Sequence, residues 1–397
     1  MIRCLKADFK TSKENLDKLF ACNRISAMIW NKCLQLSKEY REANEGKWIS
    51  LDGIQKYTKG VYPLHSQSVQ SVSERYCWSR DAAKAARDKG LNTSYPWRFK
   101  HAYPTRWKQG VKIQGKQILL PLGTWNRHRL GYIKVEVSKS TAKFLWDKKV
   151  KLIDLIWDNR LMLSICFDDG TKAEDCKGDI YAGVDLGEIH SITAASESGH
   201  AVIITGRKLR SIHQFRNKKL KEISKKQSRC TKYSRKWKKL QNAKRYILNK
   251  CDAQARDLTH KITKNFVGWA AEHNVKYVYI GDIEGVQRNT RKNKKKRKSR
   301  NVNQKLSNWN FGLLVRYLEY KLKLKGIEVG KISEAYSTQT CPVCGQRHKP
   351  TGRNYICKCG YTAHRDVHGA MNILSLGLYK DIRYITNVKK TKYLRSA

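Results

Sequence analysis

Acid is scarce in this sequence, and long apolar stretches are absent. The 397 residues include 33 Asp and Glu against 82 Lys and Arg, a formal net charge of +49. Mean hydropathy is −0.68, and no apolar run approaches the roughly 18 residues that a membrane helix needs. No amphipathic helix with a large apolar face and no lipidation motif is visible, which weakens the case for an anionic membrane as partner. The first residues, MIRCLKADFKTSKENLDKLF, lack an apolar h-region and a small-residue cleavage site, so no secretory signal is expected. There is no long-period repeat. With no transmembrane span expected, the length suggests roughly two to four domains, and the charge favours a polyanion. Each phosphate neutralised by such a surface releases a condensed counterion, so nucleic acid is the partner expected. A generally basic, solvated protein of ribosomal type is the plainer alternative.

Hydrophobic content of 40% and aromatic content of 10% suit a packed core. Residues 1–10 read as a strand, and 11–45 and 66–90 read as helices by their apolar spacing. Gly90 and LNTSYPWRFK break the second helix. From 95 to 172 the runs ILLPLG, GYIKVEV and KLIDLIWDNRLMLSICF predict strands, with a turn at Asp158-Asn159. The polar stretch 167–178 predicts a linker. Beyond it come three strands (179–187, SITAAS, HAVIITG), a basic helical stretch (207–273) and a strand (275–283). A lysine run (291–300), a helix (310–326), a strand (327–333) and a helix (365–377) follow, then a mobile basic tail. This order matches an α/β, RNase H-like sheet with its first strand central beside the fourth. A site is expected at the carboxyl ends of those strands.

Twelve cysteines are present. Without a secretory signal, free thiols with one metal site are expected rather than a disulfide framework. Cys341 and Cys344 form C-x2-C, and Cys357 and Cys359 form a tighter C-x-C. Glycines follow both pairs at 345 and 360. Four thiolates on two turns can close a tetrahedral shell around Zn2+ with no open position, so the ion is expected to be structural. A redox pair is the alternative, and His348 and His364 are nearby substitutes.

Asp185 ends an apolar strand in AGVDLGEIHS, and Asp366 opens a helix in HRDVHGAMNIL. An acid at the head of a helix is often only a cap or a dipole-favoured residue. Paired in an RNase H-like order, the two acids instead suggest carboxylates drawn from distant segments around two Mg2+ ions, the arrangement that cleaves phosphodiesters. The stretch 207–250, with Lys236, Trp237 and Tyr233, suits backbone phosphates, as do Lys294, Lys295, Lys296 and Arg297 unless that run is a solvated loop. The segment YPWRFKHAYPTRWK (95–108) is either a base-stacking surface or core.

Taken in order, GVDLG, YIGDIEGV, SEAYSTQTCPVCG and CGYTAHRDVHGAMNIL resemble the RuvC and zinc-ribbon half of the TnpB family, transposon-encoded nucleases related to type V CRISPR effectors. The resemblance covers about 178–377. It implies an RNA-guided DNA endonuclease that uses a transposon-derived guide RNA, target double-stranded DNA, Mg2+ and Zn2+, as a monomeric protein within a cytoplasmic, nucleoid-associated ribonucleoprotein. It implies a RuvC-like nuclease over 179–333 and 364–380, and a zinc ribbon over 334–363 that binds target nucleic acid. The remainder would form a wedge-like β-barrel (1–10 and 91–172), a helical recognition insert (11–90) and a basic tail (381–397). Asp185 takes the first catalytic position and Asp366 the last. The family glutamate at the end of the fourth strand is replaced here by Gly281, followed by Asp282 and Glu284. Glu334 stands where the family often has proline. Three readings follow: the carboxylate has moved to Glu334, Asp282 or Glu284 serves instead, or the chain is a nuclease-dead, RNA-guided DNA-binding repressor.

Overall fold

The computed structural model describes residues 1–176, 178–283 and 299–396, with only the backbone of residues 300 and 301. It divides into two compact units, Met1–Thr171 and Lys172–Ala397. Among the described residues no helix is long and apolar enough to cross a membrane.

The first unit is built in chain order from β1 (Ile2–Ala7), β2 (Phe9–Lys10), α1 (Lys13–Ala43), α2 (Leu51–Thr58), α3 (Ser66–Asp88), β3 (Thr105–Trp107) and β4 (Lys112–Gln114). It continues with β5 (Gln117–Pro121), β6 (Thr124–Trp125), β7 (His128–Arg129), β8 (Tyr132–Val137), α4 (Lys139–Leu145), β9 (Lys149–Asp158) and β10 (Arg160–Asp168). Two four-stranded sheets form, in the orders β1-β10-β9-β3 and β2-β8-β5-β4. In β8 the residues Ile133, Val135 and Val137 are buried and their neighbours exposed, the alternation of a sheet with one wet face. Helix α1 starts where the Ser12 hydroxyl accepts from the Asn15 amide. Asn159 turns the β9–β10 hairpin at φ +64°. Helix α2 carried no sequence signal that singled it out. One expectation is corrected: Cys4 and Cys166, opposite each other in the β1–β10 ladder, form a disulfide.

The second unit contains β11 (Ile180–Asp185), β12 (His190–Ser196), β13 (His200–Thr205), α5 (Arg207–Gln227), α6 (Arg235–Glu272), β14 (Val275–Asp282) and α7 (Arg300–Asn308). After these come α8 (Phe311–Leu324), β15 (Glu328–Ser333), β16 (Asn354–Ile356), β17 (Thr362–His364), α9 (Arg365–Tyr379) and β18 (Lys390–Arg395). The sheet order is β15-β14-β11-β12-β13-β18, so β11 is central and lies parallel to β14. Every residue of β12 is buried, because both faces of the sheet are covered. One core holds Ile192, Val202, Ile204, Phe266, Val278 and Leu318. The other holds Ala195, Ala201, Ile203, Ala370 and Leu374. Successive residues of β13 divide between the two, as the period of two requires.

Two details differ from the sequence expectation. The helical stretch 207–273 is interrupted between α5 and α6, where Tyr233 adopts φ +69° and the Ser234 hydroxyl caps α6 by accepting from the Trp237 amide. The expected mobile tail is corrected as well. Lys390–Arg395 adds a parallel strand beside β13. Its side chains are almost all exposed and basic, as suits an edge strand, so it showed no apolar pattern to read.

Candidate metal centres

Helix α9 brings the acids together because glycine lets it lie flat on the sheet. A Cβ on Gly183 of β11 would fall 2.2 Å from the Ala370 carbonyl oxygen, so any side chain there would push α9 away. On α9 itself, a Cβ on Gly369 would fall 3.0 Å from Asp185 Oδ2. The Asp185 carboxylate therefore reaches the helix surface about one turn from Asp366, which sits in the first turn of α9.

Glu334 follows directly after β15, whose Ile332 is paired with Gly281 of β14. A Cβ on Gly281 would lie 2.8 Å from Glu334 Oε2 and 3.2 Å from Glu334 Cβ. The glutamate side chain thus fills the space that a side chain at position 281 would need. Asp185, Glu334 and Asp366 are all partly buried, whereas Asp282, at the end of β14, is exposed. Glu284 lies outside the described residues.

The electrostatics agree with this proximity. Burial, and then the charges of Glu334 and Asp366, push the Asp185 carboxyl up to about 7. Burial and the neighbouring Asp282 push Glu334 up to about 7. Burial acts in the same direction on Asp366, but a hydrogen bond from His190 and the adjacent Arg365 outweigh it, and its pKa falls below the ordinary value. His190 Nδ1 donates to Asp366 Oδ2 at 2.6 Å, and Arg365 approaches Oδ1 at 3.2 Å. Asp185, whose ionisation the charges of Glu334 and Asp366 oppose, forms with those two carboxylates a hard oxygen-donor set that fits divalent cations such as Mg2+.

The four cysteines converge, and their Sγ atoms lie within 4.8 Å of one another. Cys341 and Cys359 approach to 3.6 Å, and Cys344 and Cys357 to 3.5 Å. Tetrahedral ligands with zinc–sulfur bonds near 2.3 Å stand about 3.8 Å apart, so the sulfurs fit one zinc ion. The turns that present them use Gly345 and Gly360 at φ +72° and +89°, left-handed conformations that glycine adopts without strain. Their amides donate to the carbonyls of Cys341 and Cys357. Backbone donation at Cys359 is the largest of the effects that bring Cys357 down to about 7, so it gives up its proton readily. Neither histidine considered as a substitute joins the thiols. His348 contacts the Tyr355 hydroxyl, and His364 groups with His190 and Asp366. Asn372 of α9 donates to the carbonyls of Ser337 and Thr340, tying the knuckle to the helix that carries Asp366.

Of the expected nucleic-acid contacts, Lys236 is exposed and Trp237 half-buried, its ring 5.3 Å from that of Tyr233. Lys294, Lys295, Lys296 and Arg297 lie outside the described residues. The aromatic segment 95–108 divides: Tyr103 and Trp107 are core, whereas Trp97 and Phe99 are about two-thirds exposed. Sequence reading missed His190, Asn372 and Gly369, and weighed His364 only as a substitute zinc ligand. A histidine five residues after Asp185, at the edge of an apolar strand, was the one signal within reach.

Fold and sites define a mixed α/β protein with a carboxylate centre and a four-cysteine knuckle that can hold zinc. A family model described as "Cas12f1-like, TNB domain" matches residues 311–373, and one described as "Probable transposase" matches 164–287. A TnpB-like protein of Methanocaldococcus jannaschii is 29% identical over 196 residues, covering 48% of this chain and 66% of the relative. The Escherichia coli K12 protein named "Putative RNA-guided DNA endonuclease InsQ" is 25% identical over 362 residues, covering 85% of this chain and 78% of the relative. Among solved structures, the protein of a Cas12f1–sgRNA–target DNA complex superimposes with a TM-score of 0.64 at 13% identity, over 91% of this chain and 83% of that one. By sequence this chain is similar to TnpB-like proteins.

Proposed function

We propose that this chain is an RNA-guided DNA endonuclease. It would carry a transposon-derived guide RNA and hydrolyse target double-stranded DNA at a RuvC-like, RNase H-type site made of Asp185, Glu334 and Asp366. The carrying observation is the Glu334 side chain lying over Gly281, where the family's own glutamate position has no side chain. It supports relocation of the carboxylate to the neighbouring strand. The name of the E. coli relative and the guide RNA and target DNA of the Cas12f1 complex support the choice of substrates.

In this reading Asp185, Glu334 and Asp366 would hold two Mg2+ ions. Bound there, magnesium supplies an activated water and neutralises charge developing on the phosphodiester. The chain does the positioning. Gly183 sets the height of α9, His190 keeps Asp366 ionised and oriented, and the crowding of Asp185 and Glu334 makes both acids bind cations in place of protons near neutral pH. The knuckle, 334–363, is a zinc ribbon that binds target nucleic acid. The first unit supplies the wedge and the recognition insert.

The test starts from the ribonucleoprotein with its copurified RNA. The guide end is reprogrammed, and Mg2+-dependent cleavage is compared between wild type and Glu334→Ala. Wild type should cut the programmed DNA, and the variant should lose on the order of a thousandfold in rate. Undiminished cutting by the variant rejects the relocation. Programmed binding by a wild type that does not cut identifies a nuclease-dead repressor.

A further inference from the structure

The carboxylate chemistry above uses His190 only to orient Asp366 and leaves His364 beside them unexplained. His190 begins β12 and is 4% exposed. His364 immediately precedes α9, and its Nδ1 is buried with no hydrogen-bond partner among the described residues. A buried imidazole nitrogen without a partner is costly unless something binds it. His190, His364 and Asp366 each offer a ligand atom, and these atoms lie within 4.8 Å of one another.

We propose that His190, His364 and Asp366 bind a transition-series divalent cation such as Mn2+ at a site distinct in chemistry from the all-oxygen set. Two imidazoles and one carboxylate favour Mn2+, Co2+ or Zn2+, whereas Mg2+ prefers oxygen and keeps its waters. The spacing suits this. Neighbouring ligands at right angles on bonds of about 2.1 Å stand about 3.0 Å apart. His190 Nδ1 and Asp366 Oδ2 are 2.6 Å apart because they share a proton. A cation replacing that proton needs only a few tenths of an ångström more. Asp366 is divided between neighbours in the right sense: Oδ1 faces Arg365, and Oδ2 faces the histidine. The inference deepens the proposed nuclease and rests on that reading for the second role of Asp366. It adds a nitrogen-liganded cation position beside the carboxylate set, one that discriminates between Mn2+ and Mg2+.

The experiment uses the full chain with its knuckle loaded with Zn2+ and then titrated with Mn2+. Electron spin-echo spectra should show nitrogen couplings from bound imidazole. His364→Ala should remove one coupling and weaken Mn2+ binding, measured by calorimetry, about tenfold or more, with Mg2+ binding little changed. His364 is half-buried at a strand–helix junction, so its truncation is the safer variant. His190→Gln keeps bulk at the buried position and provides the second. Mn2+ that binds without nitrogen coupling, or with equal affinity in both variants, overturns the inference. Mg2+-dependent cutting measured alongside separates the two claims. Nitrogen coupling in a protein that never cuts upholds this site while sinking the nuclease. Cutting without coupling does the reverse.

Discussion

The cysteine knuckle and the carboxylate centre both gather candidate cation ligands, yet they are assembled from very different lengths of chain. Cys341 and Cys359 are 18 positions apart. His190 and Asp366 are 176 apart. In the knuckle, two glycine turns and a short β16–β17 ladder do nearly all the positioning. In the carboxylate centre, the ends of β11, β14 and β15 and the first turn of α9 must meet, and each is held by the core beneath it. A local site can therefore be lost without the sheet, whereas the distant one reports on the packing of the whole second unit.

The largest effect should come from breaking the local half of that contrast. Cys357→Ser should lower bound zinc below one equivalent and unfold residues 334–363, at a cost of several kcal/mol. Amide exchange should rise there while β11–β13 stay protected. Exchange that rises equally through the sheet would erase the distinction.

The carboxylate centre should respond in the opposite direction. Glu334 is raised above its ordinary value to about 7. Between the ordinary glutamate range and about 7, the folded state keeps a proton that the unfolded state has lost, so stability falls as pH rises through that window. Glu334→Gln removes this penalty and should stabilise the metal-free protein near neutral pH by about 1–2 kcal/mol after allowance for solvent screening. The gain should vanish below about pH 4, and Mg2+ should flatten the wild-type pH profile. Thermal unfolding across pH is the measurement; a destabilised variant at neutral pH would mean that Glu334 is not crowded by its neighbours.

The smallest effect sharpens the contrast through glycine. Gly281→Ala places a methyl group 2.8 Å from Glu334 Oε2 and should slow cleavage by displacing that carboxylate, with about 1 kcal/mol of stability lost. Gly360→Ala, strained at φ +89° in open space, should cost about as much stability and leave the cleavage rate alone. Single-turnover rates beside melting temperatures distinguish the two.

Much of the second unit was legible because its signals are local. The apolar run ending at Asp185, the β-branched strand ending at Asp282 and the amphipathic α8 fall close to where periodicity places them. So do Cys341, Cys344, Cys357 and Cys359. Other features carried no local mark. The strand Lys390–Arg395 is held by ladder hydrogen bonds to β13, and its side chains are basic. The Cys4–Cys166 bond depends on the register of two strands at opposite ends of the first unit. His190 looked like an ordinary polar residue, and His364 like a substitute zinc ligand, until α9 lay across β11.

Residue order alone decided the charge, the candidate acids, the spacing of the thiols and the run of strands and helices, because these depend on composition and on contacts within a few turns of chain. Which acids meet, which glycines make room for them and which histidines stand beside Asp366 was decided only by the tertiary structure. Those distances are fixed by helix-on-sheet packing, in which a single Cβ is enough to move the partners apart.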